Sequence, residues 1–262
     1  MVIEYRWAEG RYERLSALAA ELVQLNVDVL LSQGTDGTRA AKGATTTIPI
    51  VMAGISDPVA TGLVNSIARP GGNVTGPMFF TQELSTKRLE FLNQALPRAK
   101  RLAVLVNPNN TSHPPIVRAM ESNAAALGVE LLRFEARGAG DLEAAFAAMA
   151  SSRIGGVVMV DDGSLNAQSA AMADLAAKRR LPIIGILEMA PAGGLMAYGV
   201  NRYEMFRRVA AYVDKMLKGA KPADTPIERI ASYELVINKS AAARLGITIP
   251  QALLIRADRV IE

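Results

Sequence analysis

Cysteine is absent from the 262 residues, which excludes disulfides, thiolate catalysis and cysteine-bound metals. A single histidine, His113, cannot build a multi-histidine metal site. In its proline-rich loop it reads as an exposed loop residue rather than a general base. Aromatic residues make up only 5% of the chain, and Trp7 is the one tryptophan. Its indole is expected to cover a helix. No apolar run approaches the roughly 20 residues of a membrane helix, so no stable membrane insertion is expected. The opening Met1-Val2-Ile3-Glu4-Tyr5-Arg6 has no apolar core of a signal peptide. The phosphate-binding patterns GxGxxG and Walker A are missing, as is the GxSxG of serine hydrolases. No cofactor and no catalytic constellation is therefore expected. Asp161-Asp162 after a strand could hold a divalent ion, but a companion phosphate loop is lacking.

Half of the chain is hydrophobic and 21% is charged, which suits a globular protein with a large core. The net charge is +4 and the pI about 9.4. Lysine and arginine are scattered, and the short clusters Lys178-Arg179-Arg180 and Arg207-Arg208 fall on helical segments with acidic neighbours. They read as solvated helix faces, not as a nucleic-acid surface.

Strand-like and helix-like segments alternate. Val2-Ile3-Glu4-Tyr5-Arg6-Trp7 is β-branched and aromatic and reads as a strand. Helical spacing follows over 11–25, with Leu15, Leu18, Leu22 and Leu25 on one face. Short apolar runs at 27–31, 48–52 and around Val74 are separated by helical segments at about 36–44 and 57–67. The pattern then restarts. Helices are expected at about 82–96, 114–127, 141–149 and 165–178, and strands at 102–106, 129–134, 156–160 and 182–186. A strand over 194–200 leads to a helix at about 203–217 with Met205, Val209, Tyr212, Val213 and Met216 on one stripe. A strand at 233–237 and a helix at 239–245 follow. Unbroken apolar strands between helices predict an α/β fold with parallel sheets covered on both faces, and two runs of such units predict two similar lobes.

Open α/β sheets bind ligands at the carboxyl ends of their strands. Those ends carry polar loops here: Gln33-Gly34-Thr35-Asp36-Gly37-Thr38, Gly54-Ile55-Ser56-Asp57-Pro58, Asn107-Pro108-Asn109-Asn110-Thr111-Ser112, Asp161-Asp162-Gly163-Ser164 and Glu188. Asp57 before Pro58, Ser112 or His113 before Pro114, and Ser164 before Leu165 have helix-capping chemistry, and capping alone would account for them. As an ensemble they suit a zwitterion. Helix N-termini attract a carboxylate, and Asp57, Asp161, Asp162 or Glu188 would hold an ammonium group.

Seven stretches are similar to one family. They are Val2-Ile3-Glu4-Tyr5-Arg6-Trp7-Ala8-Glu9-Gly10, Ala44-Thr45-Thr46-Thr47-Ile48-Pro49-Ile50-Val51, Asp57-Pro58-Val59, Arg69-Pro70-Gly71-Gly72-Asn73-Val74-Thr75-Gly76, Leu105-Val106-Asn107-Pro108-Asn109, Ala192-Gly193-Gly194-Leu195-Met196-Ala197-Tyr198-Gly199 and Tyr233-Glu234-Leu235-Val236-Ile237-Asn238. Together, from end to end, they resemble the ABC transporter substrate-binding proteins of the tryptophan/tyrosine-binding kind. Two places depart from that pattern. Asp162-Gly163-Ser164 stands where proline and bulky apolar residues are usual, and Glu188-Met189-Ala190-Pro191 lacks an aromatic.

The resemblance implies a type I periplasmic binding fold of two Rossmann-like lobes that close on a solute. The lobes would be 1–77 plus 200–229 and 78–199 plus 230–262, with crossings near Gly76-Pro77, Gly199-Val200 and 229–232. It implies an amino acid or similar small organic solute, an ABC permease as partner and a periplasmic location. By position, Thr35, Thr38 and Asp57 would contact the solute from the first lobe, and Asn107, Asn110, Asp161 and Glu188 from the second. A sugar is disfavoured, since sugar sites of such folds stack aromatic rings. In the resembled pattern a strand, a helix and a leader precede the segment that opens this chain. The first lobe is therefore expected to be N-terminally truncated, and residues 1–262 to fold poorly or bind weakly. Two alternatives are a ligand-sensing module of a regulator or receptor, which shares the fold, and an α/β enzyme using Asp57 or Asp161.

Overall fold

The computed structural model describes residues 1–262 and divides into two compact units, Met1–Phe80 with Arg202–Ala231, and Thr81–Asn201 with Ser232–Glu262. The first unit begins with α1 (Leu15–Gln24), β1 (Leu30–Gln33), α2 (Gly34–Ala44), β2 (Ile50–Ala53) and β3 (Val74–Thr75). The second runs through α3 (Thr81–Ala95), β4 (Arg101–Val106), α4 (His113–Leu127), β5 (Glu130–Glu135), α5 (Ala139–Ser151), β6 (Val157–Met159), α6 (Gly163–Asn166), α7 (Ser169–Lys178), β7 (Ile183–Gly185) and β8 (Met196–Val200). The chain returns to the first unit for α8 (Arg202–Leu217) and ends in the second with β9 (Tyr233–Asn238), α9 (Lys239–Leu245), α10 (Gln251–Arg256) and β10 (Arg259–Ile261).

In the first unit the strands lie parallel in the order β1-β2-β3. Every residue of the central β2 is buried, and alternation assigns its side chains to two cores. Ile50 and Met52 join Leu30, Leu63, Val64 and Val74 on one face. Val51 and Ala53 meet Val209, Tyr212 and Met216 on the other. The stripe read along α8 is thus its buried face.

Two expectations fail in this unit. Residues 2–7 form no strand. A strand exists only through a neighbour's hydrogen bonds, and propensity supplies no partner. Trp7 accordingly covers no helix: it is 67% exposed and stacks on Tyr5, with centroids 5.9 Å apart. Residues 57–67 form no helix either. Asp57 Oδ1 caps the amides of Val59 and Ala60, and Thr61 N–H donates to Asp57 O, which makes one turn. Gly62 then takes φ +71°, and the amides of Leu63 and Val64 double back to Pro58 O. Lys42 Nζ fixes the reversal by donating to the carbonyls of Gly62 and Leu63. Burial of Leu63 and Val64 prevails over helix continuation.

The second unit holds a seven-stranded sheet, β10-β9-β8-β7-β6-β4-β5. All neighbours are parallel except β8 and β9, so the sheet is mixed where a parallel one was expected. The exception follows from connectivity: β9 re-enters after the excursion through α8 and runs back along β8. Leu102, Val104 and Val106 of β4 pack with α3 and α4 on one face, and Ala103 and Leu105 with α5 and α7 on the other. The helix expected over 165–178 is broken into α6 and α7. No helix of the molecule is long and apolar enough to cross a membrane.

Chain order places the switch point of this sheet. β5 lies on one side of β4, and the chain then crosses to β6 on the other side. The carboxyl ends of β4 and β6 therefore diverge into loops around a crevice, the place where open α/β sheets take ligands.

Candidate functional site

The loops after β4 and β6 are joined by a buried polar network. Asp162, 3% exposed, caps α6: its Oδ1 accepts from the amides of Ser164 (3.0 Å) and Leu165 (3.1 Å). The same oxygen accepts from Asn107 Nδ2 at 3.1 Å, and Oδ2 accepts from Asn110 Nδ2 at 2.9 Å. The cap is Asp162, then, and not Ser164, whose hydroxyl donates to Arg137 O. Asn107 and Asn110 also turn inward, accepting from the amides of Asn109 and Ser112 respectively. A carboxylate this deep is tolerated because four donors converge on it.

His113 is not the exposed loop residue expected from sequence. It is 2% exposed, and its Nδ1 accepts the Asn107 amide at 3.1 Å. Its Nε2 lies 3.1 Å from Asp161 O. The hydrogen-bond pattern assigns a neutral ring protonated on Nε2, since a carbonyl can only accept. The side chain points back under the strand ends because α4 begins at His113 and presents its first turn to the core. Ser112, at the N-cap, makes no side-chain cap.

Asp161 takes its position from a residue that the sequence reading passed over. Arg88, on the buried face of α3, is 0% exposed. Its Nη1 contacts Asp161 Oδ2 at 2.6 Å and donates to Met159 O at 3.1 Å, and its Nε donates to Tyr198 O at 2.7 Å. One guanidinium thus ties the ends of β6 and β8. Asp161 keeps its second oxygen free of hydrogen bonds, on a side chain that is 14% exposed. The signal was legible: Arg88 lies four residues from both Leu84 and Leu92, on the apolar stripe of its helix. Nearby, burial in the first place, then Tyr233 and Glu83, push the Tyr198 phenol above its usual value, so it stays neutral at physiological pH. Glu188 follows β7 on a short 3-10 turn, with its side chain exposed.

In the first unit, Thr35 and Thr38 both lie on α2, which starts directly after β1. Thr38 is fully buried; its hydroxyl sits 2.7 Å from Ser32 Oγ and donates to Gly34 O at 2.9 Å. Thr35 is 6% exposed. Asp57 stands after the neighbouring β2, half-buried, with Oδ1 occupied by its own turn and Oδ2 unbonded. The structure therefore gathers Asn107, Asn110 and Asp161 into one network, and puts Thr35, Thr38 and Asp57 at the strand ends of the other unit. Nowhere do three or more histidine or acidic side chains converge to hold a metal ion.

The model of the family of ABC transporter substrate binding proteins matches residues 1–261. A tyrosine-binding protein of Clostridioides difficile is 23% identical over 244 residues, which are 93% of this chain and 70% of that protein. Among solved structures, the ABC domain in complex with L-Trp from Streptococcus pneumoniae superposes with a TM-score of 0.89 at 25% identity, covering 99% of this chain and 87% of that one. A conserved domain protein from Vibrio cholerae gives 0.90 at 29% identity, covering 98% and 86%. With end-to-end coverage by the family model and this topology, the chain belongs to the ABC transporter substrate-binding proteins, solute-binding proteins of the type I periplasmic binding fold and not enzymes.

Proposed function

We propose that this protein captures a small amino acid or related organic solute at the carboxyl ends of its strands, outside the cytoplasmic membrane, and delivers it to an ABC permease. The observation that carries the reading is Asp161 at the switch point. Arg88 fixes one carboxylate oxygen and leaves the other without a partner, a preset acceptor for an ammonium group. Asp57 offers the same half-used carboxylate in the first unit. Asp57 and Glu188 are the further ammonium partners, and the amino end of α2 beside Thr35 suits the carboxylate. Thr38, Asn107 and Asn110 act as the frame, because their hydrogen-bonding groups are already engaged. The relatives that bind tyrosine and L-Trp favour an amino acid as the class.

The test is a thermal-shift screen against the amino acids, followed by calorimetry on the best ligand. Binding only to the native state raises the apparent melting temperature. Losing the ammonium partner should cost about 2–5 kcal/mol of affinity. If Asp57→Ala, Asp161→Ala and Glu188→Ala all leave amino-acid affinity unchanged, the ammonium assignment is wrong.

A further inference from the structure

A second opening lies at the opposite end of the same sheet. Ile183 begins β7 and Leu195 immediately precedes the parallel β8, so both mark the amino ends of strands whose carboxyl ends carry Glu188 and Gly199. Between these strand starts, the end of α7 and the end of α9 is a cavity of about 110 Å³. Its walls are small and apolar: Ala176, Leu181, Ile183, Leu195, Ala241 and Leu245. The α9 wall is held in place by Asn238, which caps that helix by accepting the Ala241 amide at 2.8 Å and donates to Ala190 O at 2.8 Å.

Two arginines line this cavity, Arg180 after α7 and Arg244 in the last turn of α9. Neither guanidinium has a hydrogen bond or an ion pair, unlike the adjacent Arg179, which pairs with Glu143. A cation at a helix carboxyl end is favoured by the dipole. That accounts for the charges but not for a cavity between them, nor for guanidinium groups that leave the helix-end carbonyls alone. Arg180 also adopts φ +54° in a left-handed position that favours glycine or asparagine. The backbone offers no competing donors: the amides of Leu181, Gly193, Gly194 and Leu195 all bond to carbonyls of the chain. The only free donors are the guanidinium groups, and what lies beneath them is apolar.

We propose that this cavity binds a short aliphatic carboxylate, its chain among the alanines and leucines and its carboxylate on Arg180 and Arg244. A cavity of 150 Å³ accepts benzene, so about 110 Å³ holds roughly four non-hydrogen atoms beyond a rim-held head group. Guanidinium donors match a carboxylate in geometry and charge. The site is independent of the solute site, because it faces the other end of the strands.

Butanoate is the probe, titrated into the full chain and followed by amide NMR. Saturable shifts are expected at Ala176, Ala177, Gly193 and Gly194. Arg180→Gln and Arg244→Gln should each weaken binding about tenfold, the value of one lost charge-assisted hydrogen bond. Circular dichroism checks that these surface variants stay folded. Butanamide should bind at least about tenfold more weakly than butanoate by the same reasoning. The proposal fails if butanoate gives no saturable shifts at these amides, or if the glutamine variants bind it as the parent does. Equal binding of butanamide would remove the charge from the argument, and equal binding of sulfate would remove the apolar chain.

Discussion

Replacing Arg88 by methionine keeps an unbranched side chain of similar reach and removes the guanidinium. Three acceptors lose their donor: Asp161 Oδ2, Met159 O and Tyr198 O. Breaking a buried ion pair by deleting one partner costs about 3–5 kcal/mol. Asp161 still reaches solvent through its 14% exposed side chain, which draws the value to the low end, about 3 kcal/mol. Each stranded carbonyl adds about 1 kcal/mol, at the lower limit for an unsatisfied buried group because a carbonyl tolerates loss of one of two partners. The expected loss is about 5 kcal/mol, comparable with the total stability of a small domain. Arg88→Lys should recover little, since one ammonium cannot span three acceptors held by a planar fork. Asp161→Asn should cost less than Arg88→Met, because the amide oxygen still accepts from Nη1. Urea unfolding followed by far-UV circular dichroism measures each variant. A loss below about 1 kcal/mol for Arg88→Met, the level of an exposed pair, would refute the claim that this guanidinium organises the strand ends.

His113→Phe keeps the buried ring volume but strands the Asn107 amide and Asp161 O, and should lose about 2–4 kcal/mol in the same urea assay. Gly76→Ala should be worse than an ordinary glycine change: φ is +135° and the new Cβ would lie 2.5 Å from Met52 O, so a loss above about 3 kcal/mol is expected on thermal unfolding. The phenols of Tyr198 and Tyr212 are both raised, chiefly by burial. A raised acid favours the neutral form in the fold. Its contribution is therefore complete below the unfolded value near pH 10 and is lost as pH rises through the folded value. Melting temperature should drop more steeply above about pH 10 in the parent than in the Tyr198→Phe, Tyr212→Phe double variant. Equal slopes would remove these tyrosines as the cause.

Local patterning carried most of the secondary structure. The buried stripe of α8, the strands of the second sheet and the polar carboxyl-end loops are all periodic or compositional, so the chain displays them without its fold. The same locality explains the failures. Residues 2–7 have strand composition, but a strand is a relation between segments. Residues 57–67 have helical composition, yet Gly62 and the burial of Leu63 and Val64 turn the chain. The antiparallel β9 depends on where the chain re-enters after α8.

The candidate site divides in the same way. The sequence by itself determined which residues stand at the strand ends, because each follows an apolar run and precedes a helix. Only the tertiary structure decided what they do there. His113 is buried because α4 starts beneath the strand ends, and Asp162 is a four-donor hub because two asparagines from another loop reach it. Asp161 is a half-free carboxylate because Arg88, 73 residues earlier, crosses from α3. Burial and pairing are long-range properties, set by which segments the sheet order brings side by side, and no window of neighbouring residues contains them.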